Sequence, residues 1–153
     1  MDYDLLCDQL ASLAEEESWY VPLMANASAL LYETLPRLNW AGFYLARGEE
    51  LVLGPFQGKT ACIRIAKGRG VCGAAWERNA TQRVADVHQF PGHIACDGAS
   101  NAEIVVPLRK DGKVAAVMDL DSPDLNRFTD ADQQGLEAFA RVLEARMTLE
   151  GPA

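Results

Sequence analysis

Four cysteines, two histidines and a few acids grouped near strand ends carry most of the chemistry open to this 153-residue chain. Cys96 lies in PGHIACDGASN, between Gly92 and Gly98, where small and polar neighbours leave a loop thiol accessible and open to reaction. Cys72 opens the segment VCGAAWERN, which reads as a short helix, and unpaired amides at a helix start favour a thiolate. Cys62 begins or sits inside an apolar strand, CIRIA, where a cysteine is ordinarily core. Cys7 follows Leu5 and Leu6 on a helix and reads as a small apolar residue. Position alone makes Cys96 the reactive thiol, with Cys72 or Cys62 as its partner and Cys72 preferred. A zinc site needs about four ligands, usually with a pair two to four residues apart. Cys62 and Cys72 are ten apart and only His93 with Cys96 makes a close pair, so neither a metal nor a cofactor is expected. His88 and His93 share one loop and are expected to brace it or face solvent; a Cys–His nucleophile pair is the alternative.

Asp119 and Asp121 end the run KVAAVMDLD one residue apart, and strand alternation puts both carboxylates on one face. Glu103 opens the partner strand, at the end where the two aspartates finish. Facing solvent, the three are an ordinary strand end. Facing inward, like charges raise one another's pKa and hold a proton for acid chemistry. Trp40 and Tyr44 share one face of NWAGFY, either as core or as the wall of a pocket. Gly68, Gly70 and Gly73 satisfy G-x-G-x-x-G between a strand and a helix, yet no second apolar parallel strand bearing an acid follows. The expected role of these glycines is a tight turn that brings the helix close to the sheet, not nucleotide binding.

The elements that must position these groups are legible from periodicity. Leu5, Leu6, Leu10 and Leu13 mark an amphipathic helix from about Tyr3 to Glu16, and a second helix from near Ser18 carries Leu23, Ala27, Leu30 and Leu31 until Pro36 ends it. NWAGFYLA, ELVLGPF and CIRIA read as antiparallel strands separated by Arg47-Gly48-Glu49 and Gln57-Gly58-Lys59. A short helix over Val71 to Asn79 is followed by a long polar loop from about Gln82 to Asn101. EIVVPLRK and KVAAVMDLD then form a hairpin through Asp111-Gly112. Thr129 and Asp132 cap a final helix whose apolar face is Leu136, Phe139, Ala140, Val142 and Leu143. The expectation is an α+β fold, an antiparallel sheet of about five to six strands flanked by N- and C-terminal helices, with a pocket between the sheet and the long loop. It is read as one domain over 1–153, with the N-terminal helices in about 1–36 and the sheet, loop and closing helix in about 37–149.

Composition narrows the classes of function. With 49% hydrophobic and 24% charged residues, a chain of this length buries roughly 70% of its unfolded surface and needs neither disulfide nor metal to fold. A net charge of −8 and a pI near 4.7 argue against a nucleic-acid partner. The acidic N-terminus is unlike a secretory signal, and no apolar run reaches the ~18 residues of a membrane span. A cytoplasmic protein is expected, in a compartment where disulfides are usually transient and catalytic.

LNWAGFYL, LVLGPFQGK, ACIRI, GRGVCG, DVHQFPGHIACDGASNAEIVVPL and MDLDSP, in that order, resemble the free methionine-(R)-sulfoxide reductases, which are single GAF domains, over about residues 20–145. The resemblance implies reduction of free L-methionine-(R)-sulfoxide, with Cys96 as nucleophile, Cys62 as resolving thiol and Cys72 as a second or backup thiol. It implies substrate contacts from Glu103, Asp119, Asp121 and Trp40, to which the shared strand face adds Tyr44. It further implies an intramolecular disulfide reduced by an external dithiol such as thioredoxin, and it is compatible with a homodimer formed through terminal helices. Ala66, Gly98 and Met118 depart from the family pattern, and none removes a chemical group. The rival readings are a GAF sensor of a small ligand and a redox sensor that forms a disulfide without turnover.

Overall fold

Alternation along the strands divides the molecule into two cores. In the computed structural model, which describes residues 1–93 and 98–150, the strands are β1 (Trp40–Arg47), β2 (Glu50–Gly58), β3 (Arg64–Ala66), β4 (Gln82–Val84), β5 (Ala102–Lys110) and β6 (Lys113–Ser122). They form one antiparallel sheet in the order β3-β2-β1-β6-β5-β4. The helices are α1 (Tyr3–Leu13), α2 (Tyr20–Thr34), α3 (Gly70–Arg78) and α4 (Asp130–Arg146).

One sheet face sends Phe43, Ile104, Met118 and Leu120 into a core shared with α1, α2 and α4, where Leu6, Leu10, Leu31 and Phe139 are fully buried. The other face carries Trp40, Tyr44, Val105 and Val117 and is covered by α3 and β3 through Val71, Cys72, Ala75 and Ile65. The acidic residues lie on this second, smaller side.

The helix ends follow their capping chemistry. Asp2 accepts from the Leu5 amide at the start of α1, and Thr129 and Asp132 make the reciprocal capping box of α4. Asp132 also accepts from the Tyr3 hydroxyl at 2.6 Å and pairs with Arg127 at 3.1 Å, which ties α1 to α4. At Gly135 any Cβ would overlap the Tyr3 ring, so the two helices touch there because the residue is glycine. Both Asp111 and Gly112 take positive φ, as a two-residue hairpin turn of matching twist requires.

The structure departs from the sequence expectations at several points. α1 ends at Leu13 rather than Glu16, and Leu5 and Leu13 are 53% and 46% exposed, so the buried stripe is Leu6 and Leu10 alone. β2 continues through Gly58 by a register shift opposite Gly42 and Tyr44, taking in two residues assigned to a turn. β3 is only three residues long and starts after Cys62, because only Ile65 in it has a core to enter. The long polar loop contains β4, paired to β5, and a 3-10 turn at Val87–Gln89. Gly68 and Gly70 have positive φ, and a Cβ on Gly73 would lie 2.9 Å from the Ala66 carbonyl oxygen, which matches the tight turn expected of the glycine motif. Among the described residues, no helix is long and apolar enough to cross a membrane.

Candidate active site

Register places the acids. Asp121 lies opposite Trp40 on β1 and opposite Glu103 on β5, while Asp119 lies opposite Gly42 and Val105. Strand alternation therefore turns Trp40, Tyr44, Asp119, Asp121 and Glu103 to one face, into a cleft under the start of α3. The acids are not a solvated strand end: Asp119 is 5%, Glu103 8% and Asp121 9% exposed.

Burial is the first cause of the cluster's electrostatics. It pushes the Glu103 carboxyl well above the usual carboxylate range, and the neighbouring Asp119 charge pushes the same way. Asp119 is raised likewise, by burial and then by the charge of Asp121. Asp119 Oδ1 is buried with no hydrogen-bond donor among the described residues, whereas Oδ2 accepts from the Cys72 thiol at 3.3 Å. Glu103 and Asp119 are also in hydrogen-bonding contact, which two carboxyl groups can satisfy only with a proton between them. Both carboxyls therefore hold their protons to a higher pH than exposed acids do.

The same surroundings correct the reading of Cys72. A helix start favours thiolate, and Cys72 does lie in the first turn of α3. Burial nevertheless raises its thiol well above the ordinary value, and Asp119, Glu103 and Asp121 add to that rise. Within this cleft Cys72 is a buried protonated thiol that donates to a carboxylate.

The aromatic residues organise the wall and the turn that carries Cys62. Trp40 stacks between Tyr44 (centroids 6.0 Å apart) and Phe56 (5.2 Å). Gly42 leaves room for this stack, since a Cβ there would come within 2.8 Å of the indole ring. Trp40 Nε1 donates to the Lys59 carbonyl at 3.1 Å, and the Tyr44 hydroxyl donates to the Cys62 carbonyl at 3.0 Å. Two aromatic side chains of β1 thus grip both ends of the 59–62 turn. Cys62 is half-buried and disulfide-bonded, whereas Cys7 and Cys72 are free thiols.

Cys96 lies outside the described residues. The chain on either side of that gap is held in place. The Gly92 carbonyl accepts from the Gly70 amide at the start of α3, and Ser100 Oγ accepts from the Asn39 side-chain amide at 3.0 Å. His93 lines the cleft, and burial and then the nearby His88 push its imidazole below the ordinary range. His88 stands edge-on to His93, and its Nε2 lies 3.1 Å from Asn101 Oδ1.

The GAF domain family profile matches residues 24–145. The Escherichia coli free methionine-R-sulfoxide reductase is 56% identical over 92% of this chain and 85% of its own length. The chain belongs to the free methionine-R-sulfoxide reductase family of GAF domains. Within that family, the reduced Staphylococcus aureus enzyme superposes with a TM-score of 0.93 at 50% identity, covering 96% of each chain. The Neisseria meningitidis enzyme, solved in complex with its substrate, superposes with a TM-score of 0.91 at 44% identity, covering 94% of this chain and 87% of its own.

The cleft holds Trp40, Tyr44, Cys72, Glu103, Asp119 and Asp121 together, and the turn that carries Cys62 lines it through Thr60 and Ala61. Sequence reasoning missed Arg69, the cap residue of α3, and Thr60 of the Cys62 turn, both of which line the cleft. Nothing in their local sequence marks them. They reach the cleft through tertiary contacts that composition and spacing do not encode.

Proposed function

We propose that this protein reduces free L-methionine-(R)-sulfoxide to L-methionine. The observation that carries the reading is the cleft itself, where three carboxylates, each at most 9% exposed, face an aromatic wall beside a disulfide-bonded cysteine. Buried acids attract a cationic group, and the ammonium of a free amino acid is one. A peptide-bound methionine has no such group, so the cleft favours the free amino acid.

The Cys96 thiolate attacks the sulfoxide sulfur, and a protonated carboxyl of the cluster gives its proton to the departing oxygen. The S–O bond breaks and leaves Cys96 bonded to the methionine sulfur; the released hydroxide then attacks the Cys96 sulfur, methionine leaves with its sulfur reduced, and Cys96 becomes a sulfenic acid. Cys62 then attacks the sulfenic sulfur, a disulfide forms and water leaves. An external dithiol of the thioredoxin type restores both thiols by exchange. Glu103 and Asp119, both held above the ordinary carboxylate range, suit the proton-donor role. The Cys62–Cys96 pairing is supported by Cys62 being disulfide-bonded while Cys7 and Cys72 are free. Cys72 serves as a backup thiol at most, since its buried proton slows attack on a sulfenic acid.

The reaction belongs in the cytosol, where dithiol reductants keep such a disulfide transient. Exposed Met1, Leu5 and Leu13 suit a homodimer through α1, which a monomeric mass in sedimentation would overturn. The activity test supplies free (R)- and (S)-sulfoxides with a dithiol and measures methionine. Turnover of the (R) form alone, lost in Cys96→Ser, is expected. Binding without thiol consumption would make the protein a sensor instead.

A further inference from the structure

The carboxyl-thiol cluster combines donors that ammonium binding does not require. One sulfur and two carboxylate oxygens, from Cys72, Glu103 and Asp119, lie within 4.8 Å of one another, all on buried residues. A tetrahedral zinc ion, with bonds of about 2.3 Å to sulfur and about 2.0–2.2 Å to oxygen, spaces those ligands by roughly 3.6 Å. The Cys72 Sγ to Asp119 Oδ2 distance is 3.3 Å, so the pair closes on an ion with little movement. Asp119 is 5% exposed and lines the cleft, and its second oxygen, Oδ1, has no donor among the described residues. A buried oxygen of that kind is expensive to leave without a proton or a cation. The three donors come from α3, β5 and β6, which pack against one another, and all three residues line the cleft.

We propose that Cys72, Glu103 and Asp119 form a site for a thiophilic divalent cation of the zinc type, and that its occupation closes the cleft to a cationic substrate. A mixed sulfur and oxygen donor set favours zinc over magnesium or calcium, which take oxygen ligands. The ion releases the Cys72 proton and any proton held between Glu103 and Asp119. It sits where the substrate ammonium is placed by the proposed function, so metal and free amino acid exclude one another. Only that exclusion rests on the reductase reading; metal binding does not.

The experiment uses the oxidised full-length protein carrying Cys7→Ser, so that Cys72 is the free thiol left among the described cysteines. Cobalt(II) is titrated in, without any sulfoxide, and thiolate-to-cobalt charge-transfer absorption is recorded. The expected result is saturable absorption at one ion per chain, reversed by zinc and not by magnesium. Cys72→Ser should abolish the band, and Glu103→Gln and Asp119→Asn should each weaken binding about tenfold or more. Free methionine should raise the apparent Kd for cobalt. A band that persists in Cys72→Ser, or no band in the parent, overturns the site, and so do unchanged affinities in both carboxamide variants. Should Cys72→Ser fail to fold by circular dichroism, Glu103→Gln and Asp119→Asn decide the matter. Methionine binding that leaves cobalt affinity unchanged overturns the exclusion. Binding of cobalt by a protein without sulfoxide turnover would leave the site standing and remove the reductase reading.

Discussion

Replacing Tyr44 by Phe separates two roles that the sequence merges in one residue. The ring stacks on Trp40 at 6.0 Å, and phenylalanine preserves that wall. The hydroxyl, in contrast, donates to the Cys62 carbonyl at 3.0 Å. Deleting it removes one hydrogen bond, whose net value is about 0.5–1.5 kcal/mol. For a chain of this size, each 1 kcal/mol lowers the thermal midpoint by about 2–4 °C. The same free energy bounds the kinetic effect. If all of it holds the 59–62 turn where Cys62 meets the oxidised Cys96, its loss slows disulfide closure by about two- to tenfold, since 1.4 kcal/mol corresponds to a factor of ten. Methionine release, which precedes closure in the proposed mechanism, should keep its rate.

The assay is a single turnover without reductant. Methionine is followed by rapid quench, and the Cys96 sulfenic acid is followed by mass spectrometry after trapping with a sulfenic-acid-directed reagent. Tyr44→Phe should accumulate more trapped Cys96 than the parent at equal methionine. Disulfide closure at the parent rate, in a protein destabilised by the expected amount, would show that the turn does not depend on this hydrogen bond. Slowed methionine release with normal closure would instead place the hydroxyl in substrate binding and refute the separation of roles.

Glu103 and Asp119 have folded-state pKa values raised by burial, so the native protein holds protons that the unfolded chain releases above about pH 4. Stability from this pair is therefore fully present below that pH and is lost as pH rises through the folded values; urea midpoints of Glu103→Gln or Asp119→Asn should fall less steeply than the parent's between pH 5 and 8, and parallel curves would contradict the buried-proton account. Asp132 behaves oppositely: burial opposes its charge, but bonds from Tyr3, Thr129 and Arg127 outweigh that and hold its carboxyl below the usual range. Asp132→Ala should cost about 1–2 kcal/mol at neutral pH and progressively less as pH falls through the Asp132 folded value, and a cost independent of pH would refute the cap as its source.

The parts of this fold written locally were legible. The Asp111-Gly112 turn, the α4 capping box and the alternation of β5 and β6 each lie within a few residues, and together they put Asp119, Asp121 and Glu103 at one end of one face. The environment of Cys72 was not legible, because its proton is held first by burial and then by Asp119 and Glu103, more than thirty residues away in sequence. The local signal, a helix start, pointed toward thiolate, and burial reversed it. Cys62 was misplaced in a strand for a related reason. Its carbonyl is taken by the Tyr44 hydroxyl, so the chain there forms a gripped turn before β3 begins. At Leu5 and Leu13 the helical period was right, but α4 covers only one side of α1, and periodicity alone does not say how wide the covered stripe is.

Three acids in one cleft look redundant until their protons are followed. Glu103 and Asp119 both lean toward the protonated form, and Cys72 gives one oxygen of Asp119 a donor without adding charge. Burial thus lowers the negative charge that Glu103 and Asp119 bring to the cleft. An incoming ammonium changes the balance, because it stabilises at least one carboxylate and lets a proton go. On the proposed chemistry a second carboxyl must still be protonated when the sulfoxide oxygen departs. A pair of acids would be forced to choose between holding the cation and holding the proton. The third acid and the thiol remove that conflict, and they also leave the cleft with the mixed sulfur and oxygen donors of the proposed zinc-type site. Affinity for a substrate cation and vulnerability to a metal cation then have one physical origin.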